Sequence, residues 1–116
     1  CGRPMIHFVL DALEQAGFSQ KVAVVGHRAD DVKAELAKRT DDIAFVTQAQ
    51  QLGTGHAVMQ CRHLLVDHDG PVIVVAGDSP LLQPSSLQKL LTHFQAHKPA
   101  LLLGTLLKTD PTGLGR

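Results

Sequence analysis

Val22-Ala23-Val24-Val25-Gly26 decides the fold of this chain. Four apolar residues without alternation, closed by glycine, are what a short parallel strand requires when both its faces are covered. On its N-terminal side Ile6, Val9, Leu10 and Leu13 recur at i, i+3, i+4 and i+7, one face of a helix that Gly17 is placed to terminate. On its C-terminal side Asp30 and Asp31 suit the positive end of a second helix, Val32 and Leu36 give that helix an apolar stripe, and Lys38 with Arg39 suit its far end. The pattern then repeats. Ile43 to Val46 reads as a second strand, and Ala57, Val58, Cys61, Leu64 and Leu65 form the next helical stripe. Val72 to Val75 reads as a third strand. Ser85 and Gln88 have capping-box spacing before a helix that turns Leu87, Leu90, Leu91 and Phe94 inward, and Ala100 to Leu107 reads as a fourth strand. Helix and strand alternating four times predict an α/β protein with a Rossmann-like, doubly wound, mostly parallel sheet. Such sheets bind ligands beyond the carboxyl ends of their strands.

Composition narrows the ligand. At 116 residues the chain has room for one core, and eleven basic residues against eleven acidic ones leave no net charge. The polyelectrolyte attraction behind nucleic-acid binding therefore has no global source, and four Phe with neither Trp nor Tyr offer no platform for stacking bases. Small-molecule partners are expected, with no nucleic acid and no membrane. Cys1 and Cys61 fit neither a metal spacing nor a disulfide framework, no apolar run is long enough to span a bilayer, and the N-terminus lacks signal-peptide order, so a cytoplasmic home is expected. The sequence starts at Cys1 and stops at Arg116 just after the turn-rich Asp110-Pro111-Thr112-Gly113, so it is expected to be a fragment.

Two stretches at predicted strand ends carry chemistry. In Gln48-Ala49-Gln50-Gln51-Leu52-Gly53-Thr54-Gly55-His56-Ala57, Gln48 has an amide donor and a carbonyl acceptor that match the imide edge of uracil. Gly53 and Gly55 would let backbone approach the base, and Thr54 is placed to cap the following helix. The plainer reading is a glycine-bearing turn and helix start. In Ala76-Gly77-Asp78-Ser79-Pro80-Leu81, Asp78 follows an apolar strand and is a hard oxygen donor suited to magnesium, which takes one or two protein carboxylates beside substrate phosphates. An Asp before Ser-Pro is also an ordinary turn residue. His93 and His97, four apart on a helix, lack a third ligand and read as surface histidines; His56 reads as a packing or hydrogen-bonding residue, and Cys61 as an inert buried thiol. Asp30 and Asp31 read as helix-terminal charge, and no residue is singled out as a catalytic acid, base or nucleophile.

Those two stretches, with Asp110-Pro111-Thr112-Gly113-Leu114-Gly115-Arg116 and the opening Cys1-Gly2-Arg3-Pro4-Met5-Ile6-His7-Phe8-Val9-Leu10, resemble ordered motifs of the bacterial N-acetylglucosamine-1-phosphate uridylyltransferases. The resemblance covers most of the chain. It implies the nucleotide-diphospho-sugar transferase type of the predicted fold, with Gln48, Gly53 and Thr54 holding uridine, Gly77 beside the nucleotide, Asp78 on magnesium (Mg2+) and Gly115 against the amino sugar. The activity it implies is uridylyl transfer from UTP to N-acetylglucosamine 1-phosphate, giving UDP-N-acetylglucosamine, a peptidoglycan precursor, and pyrophosphate.

The sequence departs from that family at Gln50, where an acidic residue is common, and at Ala76, where a tyrosine is common. Residues 1–116 contain neither the family's glycine-rich phosphate loop nor its later sugar-binding part, so they are expected to be a partial domain, inactive alone, with an exposed sheet edge open to self-association. The alternatives are a nucleotidyltransferase for another sugar phosphate and a non-catalytic nucleotide-binding or scaffold module.

Overall fold

The computed structural model describes residues 2–105, 107, 109, 110 and 112. Helix α1 spans Met5–Gln15 and buries Val9, Leu10 and Ala12, as the apolar period requires. It ends as Gly17 implies. Gly17 has φ of +94°, its N–H donates to the Glu14 carbonyl at 3.0 Å, and the Phe18 N–H donates to the Leu13 carbonyl at 3.0 Å. These paired bonds, with the left-handed glycine between them, are a Schellman motif, and they satisfy carbonyls that the helix end leaves bare. Phe18 and Leu13 then pack on the core.

Strand β1, Lys21–Val25, lies parallel to β2, Ile43–Thr47, with Val22 opposite Ala44 and Val25 opposite Thr47. Parallel strands need a crossover, and α2, Ala29–Leu36, provides it. Asp30 and Asp31 sit in its first turn as expected, Asp31 pairing with Arg28 at 2.6 Å. Lys38 and Arg39 fall just beyond its last residue. There Arg39 becomes a clamp, its guanidinium reaching Asp11 of α1 at 2.8 Å and Asp41 ahead of β2 at 2.5 Å. Lys21 at the start of β1 lies 3.2 Å from the other Asp41 oxygen, outside hydrogen-bond geometry but within ion-pair range.

The single helix expected through Ala57 and Leu65 is two: α3, Thr54–Gln60, and α4, Arg62–Leu65, broken at Cys61. Helix α5, Pro84–His97, packs on α1, and Leu87 at its first turn is fully buried against Ala12 and Ala16 with Ile73 and Val75 around it. The capping box expected at Ser85 and Gln88 is not formed. Pro84 already occupies the first helical position, where its missing N–H costs nothing, so the cap falls on Gln83 and no side chain bonds to the helix end. Gln88 instead donates to the Gln15 carbonyl at the end of α1, at 3.4 Å.

The larger correction concerns the sheet. Among the described residues it has two strands rather than four. Val72 to Val75 and the described part of Ala100 to Leu107 carry no strand ladder; Leu106 lies outside the described residues. Val22 to Val25 and Val72 to Val75 border one apolar cavity of about 580 Å³. Apolar continuity at 72–75 does not become a strand, because among the described residues the segment has no ladder partner. Full cover of β1 is not reached either: Val22 is exposed while Lys21 and Val25 are buried.

Candidate nucleotide site

Because β1 and β2 run parallel, the loops that leave them emerge at the same edge of the sheet. They touch there. The Gln48 N–H donates to the Val25 carbonyl at 2.7 Å, continuing the ladder by one residue. A Cβ on Gly26 would stand 3.2 Å from the Gln48 carbonyl oxygen and 3.3 Å from Gln51 Nε2, so glycine is what lets the two loops close on each other.

From Gln48 the chain loops to α3. Gly53 precedes the helix with φ +95° and ψ 177°, a conformation open to glycine and almost nothing else. Nothing crowds its missing Cβ, so the demand is purely one of dihedral angles. Thr54 does not cap α3 as expected; it is the first helical residue, Gly53 is the cap, and no side chain bonds to that helix end. The loop is tied across its mouth by side chains instead. Gln48 Nε2 donates to the Gly53 carbonyl at 3.1 Å and stands 3.0 Å from His56 Nδ1. The other ring nitrogen of His56 stands 3.1 Å from Gln60 Nε2, which also donates to the His56 carbonyl at 3.2 Å. A hydrogen-bonding role for His56 is therefore observed, though its tie to Gln48 was not visible in sequence, because a strand-end residue and a helical one eight apart have no fixed spatial relation.

The segment after Val75 turns through Gly77 and Asp78, closed by the Ser79 N–H donating to the Ala76 carbonyl at 3.3 Å. Asp78 is exposed, and among the described residues its carboxylate has no hydrogen bond or ion pair. A Cβ on Gly77 would stand 3.0 Å from Ile6 Cδ1 of α1, so this turn lies against the first helix. Thr54 and Gly77 border the same cavity. The structure thus joins Gln48, Gly53 and His56 directly, sets Thr54 and Gly77 on a shared space, and shows no hydrogen bond between Asp78 and the glutamine loop among the described residues. Gly115 lies outside the described residues.

A free carboxylate beside a turn is a fitting single ligand for magnesium, which keeps several waters and draws its remaining oxygens from phosphates. No group of three or more His, Cys, Asp or Glu capable of holding a metal occurs among the described residues. His93 and His97 are exposed, their rings stacked at 4.1 Å, and Nδ1 of His97 bonds to the His93 carbonyl at 3.0 Å. Cys61 is buried, which raises its thiol above the usual range and keeps it unreactive. Among the described residues no helix is long and apolar enough to cross a membrane.

Comparison with known proteins assigns the fold. A family model described as the MobA-like NTP transferase domain matches residues 1–107. The chain belongs to that family. Its fold is the nucleotide-diphospho-sugar transferase fold, of which the described residues form helices and a small parallel sheet. It is also similar along its whole length to proteins named "Bifunctional protein GlmU": 44% identical over 117 residues in Limosilactobacillus reuteri and 40% identical over 116 in Shouchella clausii. The relative from Latilactobacillus sakei is 43% identical over 116 residues. The chain spans 25% of the length of the first two relatives and 24% of the third. The resemblance read from the glutamine-glycine and Gly-Asp motifs is borne out at the level of the family.

Proposed function

We propose that residues 1–116 are part of the nucleotidyltransferase domain of an enzyme that transfers a uridylyl group from UTP to N-acetylglucosamine 1-phosphate, releasing pyrophosphate. The observation that carries the reading is the glutamine loop, folded back on itself by the Gln48 to Gly53 bond at the carboxyl edge of the parallel sheet. That is where open α/β sheets receive nucleotides, and likeness to the GlmU relatives spans this loop and the Asp78 turn.

In this reading Gln48, Gly53 and Thr54 hold the uridine, with Gly53 and Thr54 presenting backbone at the start of α3. Gly77 lies beside the nucleotide, Gly115 meets the amino sugar, and Asp78 supplies one carboxylate oxygen to magnesium. Bound there, the ion would offset negative charge on the phosphates. An oxygen of the sugar phosphate attacks the α-phosphorus of UTP as the bond to the β-phosphate oxygen breaks, so one phosphoanhydride replaces another. The protein's share is positioning and charge, with no covalent intermediate.

The test is pyrophosphate release by the full-length protein with UTP, CTP or ATP and either N-acetylglucosamine 1-phosphate or glucose 1-phosphate, repeated on Asp78→Asn. UTP and the acetylated sugar should give the fastest turnover, and Asp78→Asn should stay folded while requiring far more magnesium. Equal rates with all three nucleotides would remove the uridine assignment, and an unchanged magnesium titration would remove Asp78 from the metal.

A further inference from the structure

We propose that His56 is a positioning residue for the nucleobase: its bare Nδ1 fixes the Gln48 amide so that only the carbonyl oxygen, Oε1, is left to face the ligand. The inference rests on the reading that Gln48 meets the base, and it adds how Gln48 would choose among bases.

A primary amide has two N–H hydrogens and one carbonyl oxygen. Both hydrogens of Gln48 have takers, the Gly53 carbonyl at 3.1 Å and His56 Nδ1 at 3.0 Å. A ring nitrogen accepts only when it carries no proton, so a neutral His56 holds its hydrogen on Nε2. Since Nε2 faces Gln60 Nε2 at 3.1 Å, one of the two glutamine amides must turn over for every hydrogen to find an acceptor.

The surroundings decide which one turns. If Gln48 turned, its Oε1 would be set against the Gly53 carbonyl oxygen. That would break the bond that closes the loop, between a Gln48 whose main chain is tied to Val25 at 2.7 Å and a Gly53 held in a conformation reserved for glycine. Turning Gln60 onto the His56 Nε2–H gives up only a bond to the His56 carbonyl inside its own helix, α3. Gln48 then keeps both its donors occupied and offers an acceptor alone.

An acceptor in that place selects by chemistry. Uracil presents an imide N–H between two carbonyl oxygens, whereas the matching ring nitrogen of cytosine presents a lone pair. The first donates to Oε1 and the second repels it. Selectivity for a uridine nucleotide is thereby lodged partly in a residue that never touches the ligand.

The experiment measures UTP and CTP binding by calorimetry for the full-length protein and for His56→Ala and His56→Asn, alongside the ¹⁵N spectrum of the histidine rings in the unsubstituted protein. The Asn side-chain oxygen can accept from Gln48 much as Nδ1 does. Expected are an Nε2–H tautomer for His56, a preference for UTP reduced about tenfold in His56→Ala, the worth of one hydrogen bond, and recovery of that preference in His56→Asn. An Nδ1–H tautomer, a preference retained in His56→Ala, or equal loss in both variants would overturn the proposal, the last marking a packing role. If the unsubstituted protein binds UTP and CTP alike, the uridine reading itself fails, whatever the tautomer.

Discussion

Gly53 shows how a residue with no side chain can govern a loop. Its φ of +95° with ψ near 177° would strain any side chain by about 1–3 kcal/mol, although the space around it is open. Gly53→Ala should therefore leave the helices and core intact and move the loop to a new conformation, withdrawing the carbonyl that Gln48 donates to. The expected result is a far-UV circular dichroism spectrum close to the parent's with nucleotide binding weakened at least about tenfold. Parent-like affinity would mean that the loop tolerates the strain. At this scale the sequence was only partly legible. It marked Gln48, Gly53 and Asp78 by type and spacing, but the close approach of Gly26 to Gln48 and of Gly77 to Ile6 brings together residues far apart along the chain. No local pattern announces such contacts.

The elements themselves were easier to read, because helical periodicity is a property of a single segment. The stripes of α1 and α5 and the Gly17 stop appear where the sequence places them, while Ser85 and Thr54 lost the caps expected of them to Gln83 and Gly53. Strands are less legible, since apolar continuity at 72–75 names a candidate but cannot supply the neighbour it must pair with. What the sequence did not announce at all is the Arg39 clamp, which ties the end of α2 to Asp11 and Glu14 of α1 and to Asp41 ahead of β2. Its electrostatics make a pH prediction. Arg3 beside Asp11 holds that carboxyl below the usual aspartate value, with burial opposing and Arg39 adding to the effect. Burial pushes Asp41 up, but the bond from Arg39 and the nearby Lys21 ammonium outweigh it and leave this carboxyl lowered as well. A lowered folded-state value means that both groups stabilise the fold fully above about pH 4, the ordinary aspartate range, and lose that contribution as pH falls further. Arg39→Leu should accordingly destabilise the chain by about 1–3 kcal/mol at pH 7. The gap between variant and parent should narrow by pH 3. Urea unfolding at the two pH values measures this, and a gap that stays constant would show that Arg39 acts through packing rather than charge.

On the scale of the whole molecule, a filled core and an open cavity share Leu13, Phe18, Ile73 and Val75 between them. Around Leu87 the helices α1 and α5 enclose a core with Ala12 and Ala16. Across β1 lies the cavity of about 580 Å³, walled by valines and leucines and reached by solvent, with Val72 and Val74 each more than half exposed. Among the described residues, one edge of β1 has no ladder partner. A two-stranded sheet is marginal by itself, and apolar surface beside bare N–H and C=O groups is the arrangement that invites pairing with another strand. Residues 1–116 in isolation are therefore expected to bind an environment-sensitive apolar dye while folded and to sediment as a mixture whose average mass rises with concentration. Val24→Lys, placed on β1 where it borders the cavity, should suppress both effects by putting a charge into the apolar wall without replacing any residue of the Leu87 core. Sedimentation velocity across a concentration series, with dye fluorescence on the same samples, gives the answer. A monomer at every concentration that leaves the dye dark would show that the cavity closes in solution and that β1 does not stay open.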